Sequence, residues 1–408
     1  MKPEERLPPM ERLPMAGITV IDLSQIYNGP YATYLMALAG ARVIKVEPKG
    51  GEPLRRRGVV GGAALPFAML NGCKESIVLD LKSDAGKAAL IGLVRNADVI
   101  VENFAPGVME RLGLGAETLQ RENPRLIYAA SSGYGDDGPY RDYPAMDLTI
   151  QAIAGIMHAT GFPDRPPVKA GPAVGDFFAG IHLYGAIATA LFERERTGVA
   201  RRVEVAMQDA VYASLASNLG MQWSAANEGT ADQAPPRTGN RHGGMAEAPY
   251  NVYRTRDGYI AIICVGEVHW GSLAKLMGRP ELATDPRFAT LKARVRHMDE
   301  IDALVQGWTE TQDSEPLFKL MIGARVPCAP VRTLTQVMED PNLHARGALE
   351  WIDHPEFGRM VVQHSPLRYA GARKRKLEPS HRLGADTAQV LKERLGMNEA
   401  EIAALQDS

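Results

Sequence analysis

The strongest constraint on the fold is an alternation near the amino end. Residues 18–23, Ile-Thr-Val-Ile-Asp-Leu, are a continuous β-prone apolar run. A turn at 24–30 follows, then a helical run at 31–38 closed by Gly40, then a second strand at 41–47. Strand, short turn, helix and strand make a βαβ unit, whose strands pair in parallel through a right-handed crossover. The pattern recurs. Strands are expected at 76–81, 98–102, 126–131 and 202–206, with an amphipathic helix at 84–97 and another from about residue 106. A long Gly/Ala-rich helix is expected at 177–197 and a further one at 208–220. Repeated βα alternation predicts an α/β fold with an open, Rossmann-like parallel sheet.

The character changes at 227–236, a polar Gly/Pro stretch that reads as a linker. Beyond it, residues 250–254 and 259–265 flank Asp257-Gly258, a hairpin signal. The expected organisation is an amino-terminal arm at 1–16, a large α/β domain at 17–227 and 330–408, and an inserted smaller α+β domain at 228–329. The basic run 373–376 reads as a solvated surface turn.

Composition narrows the function classes. The 46 Lys and Arg against 48 Asp and Glu give a net charge of −2, which removes the usual signature of a nucleic-acid binder. Three dispersed cysteines, Cys73, Cys264 and Cys328, form no zinc quartet or disulfide framework, so no metal is expected and a reducing cytoplasm is. No run of ~18 apolar residues stands out, so no membrane span is expected. The first βα turn, Ser24-Gln25-Ile26-Tyr27-Asn28-Gly29-Pro30, holds one Gly where a dinucleotide fingerprint needs three. No P-loop, HExxH or GxSxG stands in the chain.

The segment Gly171-Pro172-Ala173-Val174-Gly175-Asp176 leads into the long helix. An Asp there serves either as a helix cap or, beside Gly175 on a tight loop, as a nucleophile. Several further landmarks stand in order. They include Asn28-Gly29-Pro30, residues 40–47, Asn71-Gly72-Cys73-Lys74 and Glu102-Asn103-Phe104-Ala105-Pro106-Gly107. Ser132-Gly133-Tyr134-Gly135, Gly175-Asp176, Met207-Gln208-Asp209, Gly239-Asn240-Arg241-His242 and Val326-Pro327-Cys328-Ala329-Pro330 follow. With these the chain resembles the class III CoA-transferase (CaiB/BaiF) family, from Gly17 to about residue 395.

The resemblance implies transfer of CoA from an acyl-CoA donor to a free carboxylic acid, with Asp176 as nucleophile and an aspartyl-CoA thioester as intermediate. It implies an interlocked homodimer, no tightly bound cofactor, and a CoA thioester as substrate. Ile26 and Tyr27 would lie near the CoA thiol. Asn103, Phe104, Arg111 and Leu112 would line the pantetheine and adenine path, and Lys74 would reach phosphate oxygens. Tyr134 and Met207 join the CoA-binding set. Gly175, with Gly243 and Gly244 matching a glycine-rich loop, would serve the oxyanion or a lid. The residues 55–57, Arg-Arg-Arg, are a further phosphate candidate. Tyr27, Asn28, Tyr134, Arg241 and His242 are candidates for the acceptor acid. Formyl-CoA transferases carry Arg where Pro48 stands, leaving Lys49 as the neighbour for adenine stacking. Two alternatives accompany this reading. One is an α-methylacyl-CoA racemase-like isomerase, whose His falls on Met146, which cannot accept a proton. The other is an inactive CoA-binding scaffold.

Overall fold

The computed structural model describes residues 9–57 and 64–407; the first eight residues of the expected arm lie outside them. Six parallel strands, β1 (Thr19–Asp22), β2 (Arg42–Glu47), β3 (Glu75–Val78), β4 (Val99–Glu102), β5 (Ile127–Ser132) and β6 (Arg202–Ala206), form one sheet in the order β3-β2-β1-β4-β5-β6. Every expected strand of the alternation is present. The runs read as strands because β1 and β4 are buried along their whole length, and a strand covered on both faces is apolar throughout. Helices cover both faces. One core holds Val20, Val43, Val99, Val101 and Ile127 against the helices Asn28–Leu38 and Val174–Thr197. The opposite core holds Ile21, Ile44, Ile100 and Tyr128 against Asp84–Val94 and Thr387–Leu395. Neighbouring β-residues therefore point to opposite cores, as period-two alternation requires.

The chain divides into two compact units, 1–150 with 172–211 and 338–408, and 151–171 with 212–337. The second unit thus takes in 151–171, 212–227 and 330–337 as well as 228–329. It is built on an antiparallel sheet of β7 (Tyr250–Arg254), β8 (Tyr259–Ile263) and β9 (Cys328–Pro330), with the hairpin at the expected place. Trp270, Phe288, Ile301 and Met321 fill its core. In the first unit a carboxy-terminal hairpin, β10 (Leu349–His354) and β11 (Gly358–Gln363), packs Met360 and Val362 onto the sheet's core.

Two surface readings change. Residues 9–16 are docked: Met15 is buried and its N–H donates to Ala39 O at 2.9 Å. The basic run is a clamp more than a solvated turn. The Arg375 guanidinium donates to Ala37 O (2.7 Å) and Ala41 O (3.1 Å), while Arg373 and Lys374 pair with Glu11 and Glu350. Arg375 therefore ties the last turn of the Asn28–Leu38 helix, through Ala37 O, to the start of β2, through Ala41 O.

The long helix opens at Val174, three residues before the expected start. Its 24 residues have an 18-residue window of mean hydropathy 1.3, long and apolar enough to cross a membrane on length and composition. His182 and at least one charged residue interrupt that window, so it is not the unbroken apolar run of ~18 residues expected to be absent. The apolar content has a local use. Ala179, Leu183, Ile187, Ala190 and Leu191 form one buried stripe at helical spacing. At Gly180 a Cβ would lie 2.7 Å from Asn28 O, so only glycine lets the two helices cross this closely.

Candidate active site

Strand order reverses between β1 and β4, so the loops leaving their carboxyl ends diverge and open a crevice. The loop after β1 is held from below. Asp22 is fully buried and accepts from Ser24 N (3.0 Å), Ser24 Oγ, Thr33 Oγ1 (2.6 Å) and Lys74 Nζ (3.0 Å). Lys45 Nζ donates to Ser24 O at 2.8 Å. Burial alone would raise the Asp22 carboxyl, but Lys74, then Lys45 and the two hydroxyls outweigh it and hold it well below the usual range. The pair stays ionised at neutral pH.

This corrects the reading of Lys74. Its ammonium is buried and donates to Asp22, Pro30 O, Thr33 Oγ1 and Asn71 Oδ1, all within 3.0 Å. Three N–H bonds are thereby occupied, and none is left for a phosphate. Arg55 is similarly committed, to Glu47 and His381 O and over the Phe67 ring. Arg56 and Arg57 stay exposed, as do Pro48 and Lys49.

Above this cage the loop is strained and clamped. Ile26 has φ +66°, a region a β-branched residue rarely enters. Its N–H donates to Glu52 Oε2 at 3.2 Å. Asn103 bridges the two diverging loops, accepting from Gln25 N (2.8 Å) and donating to Gln25 O (2.9 Å). It therefore caps no helix; the short helix Val108–Arg111 is preceded by Gly107. Tyr27 stacks on Phe177 with ring centroids 5.9 Å apart, and Tyr31 meets the same ring edge-on at 5.1 Å. The first loop is thus fixed to the residue that follows Asp176.

Asp176 sits in the first turn of the Val174–Thr197 helix, 8% exposed, rather than on an open loop. It is not the cap. Asp147, at the start of the helix Asp147–Ile153, accepts from Gly175 N at 2.8 Å and from Asp176 N at 3.4 Å. The cap thus comes from 28 residues upstream. At Gly175 a Cβ would lie 3.1 Å from Asp147 Oδ1, so the glycine admits that carboxylate. Its N–H is already donated there, which removes Gly175 as a ready oxyanion donor. Among the described residues the Asp176 carboxylate accepts no hydrogen bond and meets no cation. Burial first, and then the Asp147 charge, push it up to about 7. Such a displaced carboxyl in a cleft marks a candidate reactive group.

Ile26, Asn103, Phe104, Met207 and Asp176 line one cavity of about 190 Å3 at the crevice. Sharing Phe104 through Pro106, Ser131, Ser132 and Arg141, a second cavity of about 540 Å3 extends over β4 and β5. Its wall includes Glu102, whose carboxyl burial raises to about 7. Other predicted residues lie outside these walls. Leu112 packs into the second core and Arg111 is exposed beside Gly107. Tyr134 meets Tyr140 and Tyr143 edge-on. Asn28, by contrast, does line the smaller cavity, buried with Nδ2 donating to Ser131 Oγ at 2.8 Å.

In the second unit, Arg241 is committed to Asp299 (2.6 Å) and Asp302 (2.8 Å for Nε). His242 packs edge-on to Tyr250. Gly243 and Gly244 lie against Asn218 and Ser217, and Gly244 N donates to His242 Nδ1 at 3.2 Å. Sequence reasoning missed Asp147 and Arg141. For Asp147 the signal was present, an acid opening a helical segment beside Met146.

The profile described as CoA-transferase family III matches residues 15–387. The acetyl-CoA:oxalate CoA-transferase of Acetobacter aceti is 40% identical over 370 residues, covering 90% of this chain and 92% of that protein. The succinyl-CoA:mesaconate CoA-transferase of Haloarcula hispanica is 36% identical over 365 residues, covering 86% and 89%. The crystal structure of a CaiB/BaiF family protein from Brucella suis superposes with a TM-score of 0.80 at 34% identity, covering 93% of this chain and 99% of that one.

Proposed function

The chain belongs to CoA-transferase family III, and from that membership we propose that it moves CoA from an acyl-CoA thioester to a free carboxylic acid through Asp176. One Asp176 carboxylate oxygen attacks the thioester carbonyl, and CoA leaves as thiolate. The mixed anhydride is then attacked by that thiolate at the aspartyl carbonyl. This releases the donor acid, with one aspartyl oxygen, and leaves an aspartyl-CoA thioester. An acceptor carboxylate attacks the thioester and the two steps run in reverse. One thioester replaces another, so no nucleotide is consumed, and covalent capture divides the transfer into easier steps.

The observation that carries this reading is the state of Asp176. It is buried in a cavity wall, and among the described residues no cation is paired with it and no hydrogen bond reaches its oxygens. A desolvated carboxylate with its pKa near 7 is a stronger nucleophile than a solvated one. The smaller cavity suits a small acid, being below the ~300–1,000 Å3 of drug-sized sites. We assign the larger neighbour to part of the CoA. CoA is a substrate here rather than a resident cofactor. Three free cysteines favour a reducing cytoplasm. Ile181 and Phe192, exposed on the outer face of the nucleophile helix, favour self-association, for which we propose the interlocked homodimer. With the Gly175 N–H engaged, oxyanion donors must come from elsewhere, and Gly243-Gly244 remain the proposed lid.

The test is mass spectrometry after incubation with an acyl-CoA and hydroxylamine. A hydroxamate on Asp176 is expected, and none in Asp176→Asn. Deuterium exchange at the substrate α-carbon without acyl transfer would overturn the reading.

A further inference from the structure

The cavity at Asp176 poses an electrostatic problem. Two of its wall residues, Asp147 and Asp176, are acids, and the acceptor brings at least one more negative charge. Like charges in a low-dielectric crevice repel strongly. Among the described residues lining that cavity, Arg141 is the one cation.

Its guanidinium is free to act. The contact it makes is to Asp142 Oδ1, its sequence neighbour, at 3.4 Å, and the two side chains are 44% and 79% exposed. An exposed pair of that length contributes almost nothing. By contrast Arg202, in the adjoining cavity, is paired with Asp136, and Arg241 is held by two aspartates. The loop carrying Arg141 is braced. Tyr140 and Tyr143 stack on either side of it in sequence with centroids 5.0 Å apart, and Tyr134 meets both edge-on. Backbone bonds Arg141 N to Gly138 O and Tyr143 N to Tyr140 O close the turn. A cation on a held loop at a cavity mouth is the arrangement that recognises a planar anion in two-pronged fashion.

We infer that Arg141 is the specificity-determining residue for the acceptor, anchoring the non-reacting carboxylate of a small dicarboxylic acid while the other faces the aspartyl thioester. This rests on the Asp176 reading above. Arg141 also touches the wall shared with the larger cavity, so a CoA phosphate is the competing anion, and the experiment separates the two.

Wild type, Arg141→Gln and Arg141→Lys are assayed with one acyl-CoA donor against succinate and butyrate, acids of equal chain length. Formation of the covalent CoA adduct is followed separately by mass. In Arg141→Gln the KM for succinate is expected to rise on the order of 10- to 100-fold, the strength of a charge-assisted contact. The KM for butyrate, the KM for acyl-CoA and the yield of adduct stay within twofold, and Arg141→Lys recovers part of the loss. An unchanged succinate KM with normal adduct overturns the assignment of Arg141 alone. A raised acyl-CoA KM gives Arg141 to the phosphate and overturns it too. Absence of adduct in the wild type overturns the Asp176 reading and this inference with it.

Discussion

Asp176 should weaken the fold at the pH where it works. In the native chain its carboxyl is pushed up to about 7, against 3.8 for an ordinary aspartate, by burial and then by Asp147. The sign follows from linkage. Below pH 3.8 both native and unfolded chains hold the proton, and nothing is lost. As pH rises from there the unfolded chain ionises first, so stability falls until the native group ionises near 7. The displacement, 7 − 3.8 or about 3 pH units, corresponds to on the order of 4 kcal/mol above that pH. The helix N-terminus returns ~0.5–1 kcal/mol by favouring the anion. Asp176→Asn keeps the volume and removes the charge. Its gain in unfolding free energy should therefore grow from near zero at pH 4 to about 3 kcal/mol at pH 8. A buried amide costs ~1 kcal/mol at every pH, so the diagnostic is the slope with pH, not the offset. Urea unfolding by circular dichroism at pH 4 to 8 measures it, with hydrogen exchange in the 174–197 helix as a local readout. A difference independent of pH, or a variant less stable at pH 8 than at pH 4 relative to wild type, would refute the reasoning.

Two further substitutions probe the partners of the two acids. Asp147→Asn removes the like charge but keeps an Oδ1 acceptor for Gly175 N, so the cap is largely retained, while the pH midpoint for adduct formation should move below 7 but stay above 3.8, because burial is the larger cause. Single-turnover adduct formation against pH reads the midpoint, and one that is unmoved or higher contradicts the coupling. Lys74→Met leaves the buried Asp22 charge without its direct ion-pair partner and should cost ~3–5 kcal/mol, most of it recovered in Asp22→Asn with Lys74→Met. If instead Lys74→Met raises only the KM for acyl-CoA, with stability intact, the phosphate role returns.

The strands were legible because burial on both faces writes itself into most of them as a short apolar run, whereas the strand order is set by packing and is read from the structure alone. What stayed hidden depends on partners far along the chain. The helix starts at Val174 rather than 177 because the local acid, Asp176, reads as a cap, while the acceptor that caps the end, Asp147, lies 28 residues from Gly175. Lys74 reads as a phosphate contact in Asn-Gly-Cys-Lys, since nothing nearby announces Asp22, 52 residues upstream. Arg375 is the same case at longer range, its guanidinium on a carbonyl of the Asn28–Leu38 helix. Asp176 itself was recognised by its motif, but its burial, which sets its chemistry, was not.

Two aspartates at the carboxyl edge of one sheet separate structure from function in this molecule. Asp22 is given two lysines and two hydroxyls, so its charge is compensated and the loop after β1 is rigid. Asp176 is given a second acid and no paired cation, so its charge is left costly. A stable fold gains nothing from the second arrangement, and a neutral side chain of similar size would fit the position. The cost is intelligible when the carboxylate must attack, since forming a covalent bond removes the charge that burial penalises. The rigid cage around Asp22 then has a purpose as well. It holds Ile26 in a strained conformation and keeps the cavity shape fixed while the charge at Asp176 comes and goes. On this view the strain at Ile26 and the raised Asp176 carboxyl are one feature, a destabilised wall maintained by an over-determined loop beneath it.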